Sequence, residues 1–152
     1  MAKFIYRMEN ILNIKYKMEE QAKQEYMTVR MRLNEAEDYL NSLKKRKDDY
    51  FNLYRKLLSK KLDVLEIERC KDSIIIMDDY IENQKNVIKR IEIELDRAIE
   101  KMNEAMQERK IHEKLRENQF EIFLQELNQE EMKEIDQLVS YQYNDTSNDD
   151  EE

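Results

Sequence analysis

No glycine and no proline occurs in these 152 residues. Average usage would supply roughly eighteen of the two together. Glycine supplies tight turns and positive φ, and proline breaks helices. A chain lacking both can scarcely build hairpin turns, phosphate-cradling loops or compact αβ connections. It can build long uninterrupted helix. That absence removes most enzyme classes before any motif is sought.

Composition agrees. Charged residues make up 41% and apolar residues 40%, the balance of a long helix or coiled coil. The net charge is −8, and Asp145, Asp149, Asp150, Glu151 and Glu152 carry five of it. The body is close to neutral with both signs interspersed, which argues against nucleic-acid binding, since that needs a basic stripe. The one basic cluster, Lys44-Lys45-Arg46-Lys47, is followed at once by Asp48 and Asp49. A solvated helix face is the plain reading of it, and a phosphate or acidic-partner contact the sharper one. Cys70 and His112 are single, so no intrachain disulfide or usual zinc site can form, and a reducing cytosol is consistent. No long apolar run spans a membrane, and the first sixteen residues, with Glu9 and no small-residue cleavage site, do not read as a signal peptide.

The apolar residues recur with heptad spacing. A 3-4 ladder runs Ile5, Met8, Leu12, Lys15, Glu19, Ala22, Tyr26, Val29, Leu33, Ala36, Leu40, Leu43, Lys47, Tyr50, Tyr54, Leu57. A second runs Ile67, Cys70, Ile74, Met77, Ile81, Gln84, Ile88, Ile91, Leu95, Ala98, Met102, Ala105. A sustained heptad stripe must meet another helix. Lys15 and Glu19 interrupt the first seam, and Ile11 and Ile14 beside the gap suggest that packing shifts there. Past Ala105 the second frame lands on Arg109, His112 and Arg116. Ile111, Leu115, Ile122 and Phe123 take over in a shifted frame, with Leu127, Ile135 and Leu138 beyond, so a register slip is expected near Arg109.

Between the ladders Asp63 and Glu66 form a D-x-x-E start signal, in which the Asp accepts from first-turn N–H groups and the Glu reaches back. The expected architecture is all-α: a long two-helix antiparallel coiled-coil hairpin over residues 1–143. It has helices at 4–58 and 64–141, a reversal at 59–63, and a disordered acidic tail at 144–152. One continuous helix paired with a second chain is the alternative. The helices would span roughly 80 and 115 Å, so the second outruns the first and its distal apolar stripe wants a partner.

Chemistry is poorly served. An acid–base pair needs a desolvated pocket to separate two pKa values, and a helical hairpin offers none. No catalytic residue, cofactor or metal site is expected. Cys70 on the seam reads as a small buried hydrophobe, and His112 as a surface or seam-flanking residue. Tyr50 and Tyr54 are on the seam frame. Tyr39 and Tyr80 are just off it, where a ring gives contact area and its hydroxyl stays wet; partner contact and incidental surface are both open for them.

Three segments resemble the FliJ family. Phe4-Ile5-Tyr6-Arg7-Met8 is similar to its F-x-[FY]-R-[LM] opening. Glu108-Arg109-Lys110-Ile111-His112-Glu113-Lys114-Leu115 is similar to its E-R-K-x-x-E-K-L. Glu130-Glu131-Met132-Lys133-Glu134-Ile135-Asp136-Gln137 resembles its E-x-K-x-[LI]-D-E close, with Gln137 in place of the usual Glu and Met132 where Gln is common. The resemblance covers about residues 3–140. It implies a soluble component of the flagellar type III export apparatus, a hairpin similar to the coiled coil of the rotary ATP synthase gamma subunit. It implies binding to the hexameric export ATPase FliI, to the export gate protein FlhA and to empty export chaperones. It also implies a cytoplasmic, monomeric protein that reaches the membrane only through the gate. By that likeness the end bearing both termini enters the ATPase ring, with Phe4, Tyr6, Arg7, Ile122, Phe123, Lys133, Ile135 and Asp136 as contacts. The gate-binding face would be Tyr39, Leu43, Arg46 and Tyr50 on the first helix and Ser73, Met77, Tyr80 and Gln84 on the second. Several of these are also seam positions, where plain packing competes. A generic tethering coiled coil, homodimeric and without an ATPase partner, is the alternative function.

Overall fold

The computed structural model describes residues 3–60 and 63–149, with side chains through residue 146. The fold is all-α. Helix α1 (Glu9–Ser59, 51 residues) and helix α2 (Val64–Asp149, 86 residues) pack against each other as an antiparallel coiled-coil hairpin, and no strand occurs among the described residues. Two compact units are distinguished. The central unit is Glu19–Glu104. The termini-bearing unit joins the residues up to Met18 with those from Ala105 onward.

The heptad explains the burial pattern of α1. From Leu12 to Leu57 its residues that are not exposed are Leu12, Lys15, Glu19, Ala22, Tyr26, Val29, Leu33, Ala36, Leu40, Leu43, Lys47, Tyr50, Tyr54 and Leu57, the heptad series itself. In the central unit Leu33, Ala36, Ile88, Ile91 and Leu95 form one core cluster, and Leu43, Met77 and Ile81 another. Flanking ion pairs fix the direction. Glu25 pairs with Lys101 at 3.6 Å, Arg32 with Glu94 at 2.7 Å, and Lys47 with Asp78 at 2.5 Å. Partner numbers fall as α1 numbers rise, which only antiparallel pairing allows. Such exposed pairs add little stability each; the apolar seam carries the association.

Polar residues hold the seam where apolar ones were expected to replace them. Ile11 and Ile14 are exposed, while Lys15 is half-buried and Glu19 is only 5% exposed. Packing therefore does not shift at Lys15 and Glu19. The register slip near Arg109 is likewise absent: Arg109 and His112 are half-buried on the unshifted frame, and Ile111 and Leu115 are exposed. Cross-helix pairing accounts for Lys15, whose Nζ donates to Glu108 at 2.5 Å; beside the seam the exposed Tyr16 hydroxyl donates to Glu113. Lys23 meets buried Glu19 at 3.2 Å, one turn along.

The helix limits differ from the expected ones at both termini. Residues 3–6 are not helical, and α1 starts at Glu9 rather than at residue 4, because Phe4 leaves the helix path to pack on α2. The Glu9 N–H closes onto the Tyr6 carbonyl at 3.2 Å. At the other end α2 continues through Asp149, where a disordered tail was expected from residue 144. No breaker stops it, and the Thr146 hydroxyl bonds back to the Gln142 carbonyl at 2.8 Å, a bond that suits a helical turn; residues 150–152 lie outside the described residues. Between the helices, residues 61 and 62 of the expected reversal also lie outside them. Asp63 caps α2 as its side chain suggests: Oδ1 accepts from the Leu65 N–H at 3.2 Å.

Candidate partner-binding surfaces

The central unit divides the eight gate candidates into core and edge. Leu43 is 1% exposed and Met77 is 8% exposed, packed together with Ile81. Neither can meet a partner while the seam is closed. Tyr50 and Gln84 are half-buried; the Tyr50 carbonyl accepts from the Cys70 thiol at 3.1 Å, and the Gln84 amide donates to the Ala36 carbonyl at 3.0 Å. That bond accounts for the one polar residue in the second ladder. Tyr39 and Tyr80, 53% and 50% exposed, and exposed Arg46 remain accessible, with half-buried Ser73 beside them in sequence register.

Those four fall on one edge. Tyr39 and Arg46 are one heptad apart on α1, and Ser73 and Tyr80 one heptad apart on α2. Glu25 and Arg32 occupy the same heptad position on α1, and Glu94 and Lys101 on α2, and these pair with each other across the seam. Continued by two heptads, that register sets Arg46 opposite Tyr80. Exposed Leu53 shares the edge; being off the seam ladder, it gave no sign in the sequence. A cavity of about 340 Å³ nearby is lined by Tyr50, Leu53, Leu57, Glu66, Arg69, Cys70 and Ser73.

The termini-bearing unit is built around an aromatic cluster and a polar layer. The Phe4 ring meets Phe120 edge-on at 5.1 Å and Phe123 at 5.5 Å, fastening the N-terminal segment to α2. Phe120 was missed in the sequence, although it precedes Phe123 by one helical turn. Tyr6 is half-buried, and its hydroxyl oxygen is buried with no hydrogen-bond partner among the described residues. A buried hydroxyl left unpaired costs about 1–3 kcal/mol. Arg7 and Ile122 are exposed. Phe4, Ile5, Tyr6, Arg7, Met8, Leu115 and Gln119 line a partly enclosed cavity of about 270 Å³. Lys133, Ile135 and Asp136 lie beyond it, on a stretch of α2 from residue 128 to 146 in which every residue is exposed.

The polar layer sits between these features in sequence. Lys15 donates to Glu108, and this hydrogen bond, reinforced by the ammonium charge, holds the Glu108 carboxyl below its ordinary value. Tyr16 donates to Glu113, and that bond raises the phenol above its usual 10.0. Arg109 meets Glu113 at 3.0 Å and Arg116 meets Glu9 at 3.0 Å. His112 is half-buried, and its Nδ1 is buried without a hydrogen-bond partner among the described residues. These carboxylates face cations and a phenol in neutralised pairs. Among the described residues, no group of three or more His, Cys, Asp or Glu side chains is arranged to hold a metal ion.

Seam and edges together define an antiparallel coiled-coil hairpin whose accessible aromatic and apolar groups lie along helix faces, an arrangement suited to docking. The family model for the flagellar FliJ protein matches residues 4–148, and the chain belongs to that family. It is thereby a structural component of the flagellar export apparatus. No curated protein and no solved structure matches the chain. No helix among the described residues is long and apolar enough to cross a membrane.

Proposed function

We propose that this chain is the coiled-coil stalk of the export apparatus, a monomer that binds the hexameric export ATPase through its termini-bearing unit. The observation that carries this reading is the packing of Phe4 against Phe120 and Phe123, which joins the start of the chain to the late part of α2 in one unit. Phe4, Tyr6, Arg7, Ile122 and Phe123 then belong to one surface, and the exposed run holding Lys133, Ile135 and Asp136 extends it. That run keeps Met132, Ile135, Leu138 and Val139 in water, which a partner would relieve. One asymmetric stalk within a six-fold ring cannot satisfy six subunits equally, so it biases their nucleotide states. The chain itself performs no chemistry.

The gate protein is met by the edge of the central unit. Tyr39, Arg46, Ser73 and Tyr80 make the contact, while Leu43, Tyr50, Met77 and Gln84 hold the helices so that this edge is presented. Empty export chaperones are the third partner, and the protein works at the cytoplasmic face of the membrane apparatus. The test is to add the purified chain to its cognate export ATPase. Turnover and ring assembly should both rise, and deletion of residues 128–152 should abolish the rise. Unchanged turnover and assembly with the full chain would reject the stalk in favour of a tethering coiled coil.

A further inference from the structure

The cavity beneath the N-terminal segment has features that seam packing does not explain. It is enclosed by Phe4, Ile5, Tyr6, Arg7 and Met8 on one side and by Leu115 and Gln119 of α2 on the other. At about 270 Å³ it falls just below the range of small-molecule sites, roughly 300–1,000 Å³. It suits one large side chain rather than a cofactor. Most of its lining is apolar. Tyr6 belongs to that lining, while its hydroxyl oxygen is buried away from the open space. Its lining holds Arg7, which is exposed, and no acid.

We infer that this cavity receives a single large apolar side chain of a partner protein, flanked by a carboxylate. The apolar ring or branch fills the space against Phe4, Met8 and Leu115. The adjacent acid meets Arg7. A basic segment would be repelled there, so the site selects by charge as well as by size. The cavity exists only because Phe4 is anchored on Phe120 and Phe123, which holds the non-helical segment off α2. The inference rests on the reading that this unit meets the ATPase ring, and it identifies the chemistry of one ring contact.

The probes are two blocked dipeptides, N-acetyl-Asp-Phe-amide and N-acetyl-Lys-Phe-amide, titrated into the full chain and followed by NMR. The Asp-Phe probe should shift the signals of Phe4, Tyr6, Met8, Leu115 and Gln119 and bind more tightly than Lys-Phe by roughly fivefold or more, on the scale of one surface charge contact. Leu115→Trp, which fills the space from an exposed position, should prevent binding. Equal binding of both probes, absence of shifts at these residues, or undiminished binding to Leu115→Trp would each overturn the proposal. The comparison of the two probes on the unaltered chain decides the matter even where a variant fails to fold. Stimulation of the ATPase is measured in parallel. Probe binding without stimulation keeps the pocket and rejects the ring as its partner; stimulation without probe binding keeps the ring and rejects the pocket.

Discussion

Single side chains in this molecule divide into those that hold the seam and those that face outward, and neighbours in sequence often differ. Leu43 is 1% exposed and Tyr39, one turn earlier, is 53% exposed. Leu43→Ala should lower unfolding stability by about 2–5 kcal/mol in urea titration, the range for an emptied core site. Tyr39→Ala should change stability by less than about 0.5 kcal/mol while weakening capture of the gate protein. A large stability loss from Tyr39→Ala would make it a packing residue instead. The polar layer yields pH signatures. Glu108 is held below its ordinary 4.5 by the Lys15 hydrogen bond and charge. Its contribution to stability is therefore complete above that value and lost as pH falls through the lowered one. Glu108→Gln should melt earlier than the unaltered chain at neutral pH, with the gap closing under strong acid; a gap unchanged by pH would remove the pair as its cause. Tyr16 shows the opposite sense, its phenol raised above 10.0 by donation to Glu113. Stability from that bond persists below pH 10 and disappears as pH rises through the elevated value. Phenolate absorbance of the unaltered chain minus that of Tyr16→Phe should give one tyrosine with its midpoint above 10; a midpoint at or below it would count against the bond.

At the scale of helices, α2 is well packed over part of its length and bare over another. Cys70, Met77, Ile81, Ile88, Ile91, Leu95 and Ala98 are buried, whereas residues 128–146 are exposed throughout. A lone helical run of that length is marginal in water. Amide exchange should consequently be faster by orders of magnitude in 128–146 than in 77–98. Comparable protection in both would mean that the run already has a partner in solution. The same contrast explains what sequence could and could not reveal. The seam from Leu12 to Leu57 was legible because a heptad imprints itself on residue spacing, down to Tyr26, Tyr50 and Tyr54. Lys15, Glu19, Arg109 and His112 were misleading because hydrophobicity alone moves the stripe to nearby Ile11, Ile14, Ile111 and Leu115. Lys15, for one, is held by Glu108 across the seam, 93 residues away in sequence. Among the gate candidates, Tyr39 and Tyr80 were marked as off the frame, but only the Arg32–Glu94 and Glu25–Lys101 register puts them on a common edge. The sequence pattern places the start of α1 too early, since Phe4 fits a helical spacing and only its contact with Phe120 takes it off the helix.

For the molecule as a whole, the charged seam residues discriminate between a hairpin and a parallel pair of chains. An in-register parallel homodimer would set Lys15 against Lys15, Glu19 against Glu19 and Lys47 against Lys47, like charges within an apolar seam. Antiparallel pairing within one chain sets Lys15 on Glu108 and Lys47 on Asp78, each at 2.5 Å. Gln84 contributes to the same choice, since its amide reaches the Ala36 carbonyl only when α2 runs back along α1; a single polar seam residue sets register at some cost in stability. Cysteines placed at Arg32 and Glu94, whose side chains meet at 2.7 Å, test the arrangement in a Cys70→Ala background. A short bismaleimide should join them within one chain, leaving the mass at 18.8 kDa plus the linker, with a yield independent of protein concentration. The matching pair at Arg32 and Glu68 should not react, because in the antiparallel register Glu68 is more than three heptads from Glu94. A product of doubled mass that grows with concentration would mean that the seam is completed by a second chain, and the Lys15–Glu108 and Lys47–Asp78 pairs would then have to be sought between chains.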